Sequence, residues 1–376
     1  MRLADAGPRG QQLTVSFRFD GVSYRGVKGE TLAAALMAND VKLVARSFKY
    51  HRPRGIMSAG SEEPNALVTI GRGAQADPNV RATVQEVYEG LEAFSQNAWP
   101  SLKYDVMAVN DLVSPFLGAG FYYKTFMWPK AFWEKLYEPV IRRAAGIGAL
   151  SGQPDRDVYE KAFAFCDVLV IGAGPAGLMA AWVAAQAGAD VILAEEDTAL
   201  GGRLLAEVEQ IDGEPAAVWV AKVTSELAAM PNVRIMTRTA VTGAYDQGTF
   251  GALERVGDMM PRKPDLPRSC FWRISAKRAI LCAGALERSI AFPNNDRPGV
   301  MMAGAVRAYI NRWGVAAGQR VAVFGNNNDV QRTARDLAAA GLDVVATLDS
   351  RDGARVTGTK GRHGLQSITV VQNGET

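Results

Sequence analysis

The chain opens with alternating apolar and polar positions. Leu13-Thr-Val-Ser-Phe-Arg-Phe19 has the period of a half-buried strand. Asp20-Gly21 predicts a tight hairpin, with Val22 to Val27 as the partner strand. Glu30-Thr31 opens a short Ala/Leu-rich helix to about Ala38, and Ala66-Leu-Val-Thr-Ile70 reads as another strand. Hairpin, helix and later strands are the order of a small β-grasp domain over residues 12–73. Residues 74–160 show neither period. They hold Trp99, Phe116, Phe121, Tyr122, Tyr123, Phe126, Trp128, Phe132, Trp133 and Tyr137, broken by Pro100, Pro115, Pro129 and Pro139. An aromatic connector of this kind packs over other domains or a partner chain, or forms internal core; the pattern leaves these open.

From Cys166 the pattern becomes βαβ. Asp167-Val-Leu-Val-Ile171 is a continuous apolar run, as a buried parallel strand requires. Gly177 to Ala187 follows as an Ala-rich helix, and Asp190-Val-Ile-Leu-Ala194 as the second strand. Further strands are expected at Val233–Met236, Arg278–Cys282 and Arg320–Phe324. A helix from Val330 to Ala340, a strand at Leu342–Thr347 and a last strand at Ser367–Val371 complete the pattern. The division is a first dinucleotide-binding domain at 161–300 and a second, incomplete one at 301–376. The stretch from Val168 to Ala189 is uncharged, but its glycines and Pro175 divide it into strand, turn and helix instead of a membrane span.

The length of 376 residues implies two or three domains at ~150 residues each. With 48% hydrophobic and 22% charged residues, disorder is excluded as the main state. A net charge of +3 from 42 basic and 39 acidic residues is too balanced for nucleic acid as main partner. Cys166, Cys270 and Cys282 are too scattered for a C-x-x-C redox pair or a Cys-rich metal site, and suit a reducing cytoplasm. Met1 to Gln12 lacks the apolar core of a signal peptide. With only His51 and His363, no metal site is assigned.

The sharpest chemical signal is Gly172-Ala173-Gly174-Pro175-Ala176-Gly177, placed between a strand and a helix. Gly172 permits the turn, Gly174 admits a pyrophosphate against the backbone, and Gly177 lets helix and strand approach. Free N–H groups at the helix start face the phosphates. The second strand ends in Glu195-Glu196, where either acid can take a ribose hydroxyl. Carboxylates there disfavour a 2′-phosphate, so NAD or FAD is preferred to NADP.

Leu200-Gly201-Gly202-Arg203 resembles the loop that covers the pyrophosphate in two-dinucleotide-binding-domain flavoproteins. Val241 lies where such folds bring a strand end to the adenine, and Cys282-Ala283-Gly284-Ala285 resembles the segment that closes their first domain. Cys282 then reads as a strand-end residue, not a nucleophile. In the second unit, Gly325-Asn-Asn-Asn-Asp329 keeps only the first glycine of the fingerprint. Asn327 and Val330 should crowd a pyrophosphate there, which counts against a second NAD site. Lys49-Tyr-His51-Arg-Pro-Arg-Gly55 faces either an anionic cofactor, an acidic partner or solvent, and His363 reads as a surface turn. No motif assigns a catalytic residue.

Longer strings carry a family resemblance. They are Ser47-Phe-Lys-Tyr-His-Arg-Pro-Arg-Gly55, Ser58-Ala-Gly60, Glu63-Pro-Asn-Ala66, Gln96-Asn97, Trp99-Pro-Ser-Leu102, Ala119 to Pro129, Phe132-Trp-Glu134 and Tyr137-Glu-Pro139. From about residue 12 to its end, the chain resembles the N-terminal part of the alpha-subunit family of heterotetrameric sarcosine oxidases. That resemblance implies an α/β fold: a β-grasp, 2Fe-2S ferredoxin-like domain, here cluster-less, ahead of a Rossmann-like two-dinucleotide-binding-domain flavoprotein core. It implies NAD held by Gly172–Gly177, Glu195–Asp197, Arg203 and Val241. It implies a beta subunit carrying FAD, a covalent FMN at the subunit interface, and two small subunits. It also implies a C-terminal domain binding tetrahydrofolate. Residues 41–73 contain no cysteine, so the β-grasp copy is expected to carry no iron–sulfur cluster and to serve structure or docking. Because Thr376 falls inside the second nucleotide domain, the chain is expected to be a fragment, inactive alone. The alternatives are a related opine, proline, hydroxyproline or cyanide-forming glycine dehydrogenase subunit, a stand-alone NADH:flavin reductase, and a nucleotide-stabilised scaffold.

Overall fold

The computed structural model describes residues 1–3, 14–118, 120, 128–144 and 148–372. Leu13 and the aromatics Phe121, Tyr122, Tyr123 and Phe126 lie outside the described residues.

The first unit is a five-stranded sheet with one helix. Strand β1 (Thr14–Phe19) buries Val15, Phe17 and Phe19 and exposes the residues between them, as its alternation dictates. It turns through Asp20 and Gly21, both at positive φ, into β2 (Val22–Val27). Helix α1 (Leu32–Ala38) is capped by Thr31, whose hydroxyl accepts the Ala34 N–H at 3.2 Å, and every residue from Leu32 to Met37 is buried. Strands β3 (Leu67–Ile70), β4 (Asp77–Arg81) and β5 (Leu91–Ser95) complete the sheet in the order β2-β1-β5-β3-β4. The expected boundary at residue 73 is therefore too early. Strand β5 pairs parallel with β1 at the centre of the sheet, so the unit runs to Ser95 at least.

The connector that follows includes a 3-10 turn at Val106–Asp111 and helix α2 (Glu138–Ala144). Among its described residues from Val106 to Val158, none is buried. Val106, Val109 and Leu112 follow the three-residue period of a 3-10 helix on one ridge, and Leu112 is 82% exposed.

The second unit is a six-stranded sheet, β8-β7-β6-β11-β10-β9. Its members are β6 (Tyr159–Ile171), β7 (Val191–Ala194), β8 (Val233–Met236), β9 (Thr239–Tyr245), β10 (Thr249–Arg255) and β11 (Ser269–Leu281). Helices α3 (Pro175–Gln186) and α4 (Ala216–Ala229) pack through Leu178, Ala181, Ala185, Trp219, Val220, Val223 and Leu227. Strands β6 and β11 pair in parallel along nearly their whole length, from Tyr159↔Ser269 to Ile171↔Leu281.

The third unit begins with α5 (Ala303–Arg307), which widens into a π-type turn through Arg312. A parallel pair, β12 (Arg320–Gly325) and β13 (Asp343–Asp349), flanks α6 (Asp329–Ala339), and β14 (Arg355–Lys360) forms a hairpin with β15 (Ser367–Val371). Tyr309, Trp313 and Val315 belong to the same buried cluster as Phe17, Leu32 and Leu36, so the first and third units share one core. No helix among the described residues is long and apolar enough to cross a membrane.

The shared core and the exposed connector predict opposite mutational costs. Leu36→Ala removes a fully buried side chain and should lower unfolding free energy by about 2–5 kcal/mol. Leu112→Ala should change it by less than about 0.5 kcal/mol. Urea denaturation of the full chain measures both.

Candidate dinucleotide-binding site

The Gly-rich loop links β6 to α3, and three chain segments meet there. A Cβ on Gly177 would lie 1.8 Å from the Gly172 carbonyl oxygen, and one on Gly172 would lie 2.5 Å from the carbonyl oxygen of Cys282. Glycine at these two positions lets α3, the loop and the end of β11 converge. Gly174 differs: a Cβ there meets nothing within 4 Å. The space in front of Gly174 is open, and Pro175 and Ala176 behind it are exposed. Helix α3 thus presents the unpaired amides of its first turn, with their partial positive charge, to open space. Gly202, at φ +52°, comes so close that its Cβ would lie 2.9 Å from the Gly174 Cα, and the Gly201 N–H donates to the Ala173 carbonyl at 2.8 Å. Ala283 and Gly284 continue exposed from β11 beside the loop.

The two acids at the end of β7 separate clearly. Glu195 is buried, and its Oε2 accepts the Ala173 N–H of the loop at 2.6 Å while Oε1 accepts the Asp197 N–H at 2.9 Å. Burial pushes its carboxyl above the usual glutamate range against these two amides. Glu196 is exposed and accepts the Ser61 hydroxyl of the first unit at 2.9 Å. Asp197 is held by Arg312 of the third unit through two bonds of 2.6 and 2.7 Å. Burial would raise the Asp197 carboxyl, but Arg312 and Thr198 outweigh it and hold it below its usual range. Val241 lies on β9, whose first residue, Thr239, donates its N–H to the Glu195 carbonyl at 2.8 Å.

Arg203 does not extend over the loop. Its guanidinium bonds Glu207 and, at 2.7 Å, Asp329 at the start of α6. Motif reasoning had no access to Ser61 and Arg312, because their partners lie far away in sequence. The second Gly-rich position is crowded by its own side chains, although it borders a cavity of about 740 Å³. A Cβ on Gly325 would lie 2.4 Å from the Val330 side chain, and Asn327 Oδ1 takes the Asp329 N–H at 3.0 Å. His363 is half-buried, not a simple surface turn, and its Nε2 is buried without a hydrogen-bond partner. His51 is buried beside Asp105, with Nδ1 to Oδ2 at 2.6 Å. Burial pushes the Cys166 thiol up to about 11, which suits a structural thiol. Among the described residues, no group of three His, Cys, Asp or Glu is placed to hold a metal ion.

Residues 12–98 match the family described as 2Fe-2S iron-sulfur cluster binding domain, and residues 167–257 match FAD dependent oxidoreductase. The sarcosine oxidase subunit alpha of Rhizobium meliloti is 54% identical over 100% of this chain and 40% of its own length. That of Corynebacterium sp. (strain U-96) is 38% identical over 91% of this chain and 31% of its own length. The chain is homologous to sarcosine oxidase alpha subunits. It spans less than half the length of these relatives. The crystal structure of L-proline dehydrogenase from P. horikoshii covers 100% of this chain with a TM-score of 0.67 at 20% identity, a likeness of fold.

Two glycines separate folding from binding. Gly174→Ala should leave the melting temperature unchanged yet weaken dinucleotide binding about tenfold or more, ~1.4 kcal/mol. Gly177→Ala should damage both. Calorimetric titration and thermal melting distinguish the two. If Glu195 is the acid that takes the ribose, it must be ionised to accept the hydroxyls, and burial raises its pKa. Affinity should therefore fall with decreasing pH, starting above the ordinary glutamate value of ~4.3. Glu195→Gln should bind weakly with that pH dependence removed.

Proposed function

We propose that this chain is the nucleotide-binding part of a sarcosine oxidase alpha-type subunit, with the amine-oxidising flavin on a partner subunit. The observation that carries the proposal is the 54% identity to such a subunit along the entire chain. The site is consistent with it: an open helix N-terminus, a close second glycine pair, and a buried carboxylate one loop away. In this proposal Gly172, Ala173, Gly174, Pro175, Ala176 and Gly177 bind the pyrophosphate, and Glu195 orients the adenosine ribose. Gly202, Ala283 and Gly284 wall the site, and the backbone of Val241 borders the adenine. Glu196 and Asp197 hold the turn through Ser61 and Arg312. The bound nucleotide is NAD. The assembled complex oxidatively demethylates sarcosine to glycine with oxygen and tetrahydrofolate, giving hydrogen peroxide and methylene-tetrahydrofolate. FAD and FMN belong to the complex, and two small subunits complete a cytoplasmic heterotetramer.

No residue of this chain is assigned to the oxidation step. Its contribution is to bind the nucleotide, fix the units around it and present the connector to the partner. The exposed ridge of Val106, Val109 and Leu112 supports that last role.

A second reading has its own support. The FAD dependent oxidoreductase match over residues 167–257 favours FAD in this same site. Denaturing the purified chain and identifying the released ligand by absorbance and mass decides between them. Colourless NAD is the expected product. Released FAD would overturn the nucleotide assignment while leaving the binding loop intact.

A further inference from the structure

The first unit matches a cluster-binding family, yet residues 12–98 contain no cysteine. Cluster modules of the plant ferredoxin type place thiolates at C-x4-C-x2-C, with a fourth beyond. A thiolate donor set is missing here, so the residues do not fit an iron–sulfur cluster. The loop from Met57 to Ala66 nevertheless has an anion at its centre. Glu63 is 1% exposed, and its carboxylate collects five donors. Oε2 accepts the Met57 N–H at 3.0 Å, the Ser58 N–H at 2.7 Å and the Ser58 hydroxyl at 3.2 Å. Oε1 accepts the Asn65 N–H at 2.8 Å and the Ala66 N–H at 3.0 Å.

Ser58, Glu63 and Ala66 have the x4 and x2 spacing of the thiolate motif. Thr83, 3% exposed, reaches the same loop from outside it and donates its hydroxyl to the Gly60 carbonyl at 2.7 Å. We propose that the Glu63 carboxylate replaces the iron–sulfur cluster as the buried anion that folds this loop, with Ser58, Glu63, Ala66 and Thr83 at the four former ligand positions. An anionic cluster and a carboxylate make the same demand on the surrounding backbone, which is to turn its N–H groups inward. A buried carboxylate is tolerated only when its lone pairs are filled, and here each oxygen has at least two donors.

The replacement changes the work of the loop from electron transfer to docking. The Met57 carbonyl accepts the Met302 N–H at 2.9 Å, and the Ser58 carbonyl accepts the Tyr309 hydroxyl at 2.9 Å. Ser61 reaches Glu196 beside the nucleotide site. The loop thereby touches both other units while Glu63 holds its shape from within.

Two measurements on the full chain test the proposal. Glu63→Ala should lower the melting temperature by roughly 5–10 °C, because four amides lose their acceptor. Glu63→Gln should be nearly as damaging, since its NH2 group must face N–H donors. If either variant melts like the wild type, Glu63 does not organise the loop. The second measurement restores the thiolates as S58C/E63C/A66C/T83C, followed by anaerobic reconstitution with iron and sulfide. Wild type should take up neither. The quadruple variant should gain visible charge-transfer absorption, stoichiometric iron and labile sulfide, and an EPR signal on reduction. A folded quadruple variant without a cluster, or a wild type that binds one, would overturn the proposal. If the quadruple variant does not fold, the two single variants at Glu63 decide.

Discussion

The contact between the first turn of α3 and the loop before it governs the candidate nucleotide site. No side-chain carbon fits between Gly177 and the Gly172 carbonyl, or between Gly172 and the Cys282 carbonyl. Strand β6, helix α3 and the end of β11 are therefore pressed together at their backbones. That closeness aims the helix amides outward past Gly174 and puts the Ala173 N–H within 2.6 Å of Glu195. The buried carboxylate is then oriented by the loop that it helps to shape. Loosening the backbone contact would disturb the open helix start and the Glu195 carboxylate together.

Around this centre the three units are fixed by different physics. The first and third share apolar burial, with Tyr309 and Trp313 inside a cluster built mostly by residues 15–102. The second is joined to them by charge. Arg312 forks onto Asp197, and Arg238 forks onto Glu86 of the first unit at 2.6 and 2.9 Å. Partly buried ion pairs contribute little net stability, because desolvation offsets most of the attraction. What they supply is direction, since a bidentate guanidinium accepts a carboxylate in one plane. Apolar packing brings the units together, and these forks set the acidic turn relative to the Gly-rich loop.

Local order was legible in the sequence wherever it comes from local chemistry. The alternation of Thr14–Phe19, the Asp20-Gly21 turn and the apolar run before Gly172 each predict their element. Strand β4, with the sequence DPNVR, has no alternation and begins beside a proline, so nothing marked it as sheet. The first eight residues of β6 were missed because their partner is the distant Ser269–Ala276 half of β11. Site residues divide in the same way. The glycines and the Glu195-Glu196 pair declare themselves by spacing, but only the structure separates the two acids. Arg312 acts on Asp197 across 115 positions, and no periodic or motif signal spans that distance. Glu63 is silent for another reason: a carboxylate among backbone amides needs no partner side chain, so it leaves no second residue to find.

Comparison of the two Gly-rich loops shows how side chains alone decide what one topology can do. Both join a parallel strand to a helix, and both helices start with unpaired amides. At α3 the second glycine keeps the space open, and the third lets the helix seat on the loop. At α6 the corresponding places hold Asn327 and Val330. Asn327 spends its carboxamide oxygen on the Asp329 N–H, and Val330 is buried against Gly325. The start of α6 is instead committed to protein contacts, with Asp329 bound to Arg203 of the second unit. The same kind of positively polarised helix end that the proposed site offers to a phosphate in one unit carries an acid, Asp329, in the other, and both uses draw on the helix dipole. The second βαβ unit thereby supplies an inter-unit clamp: its Asp329 holds Arg203 at the end of the Gly201–Arg203 turn, whose Gly201 N–H donates to the Ala173 carbonyl of the first Gly-rich loop.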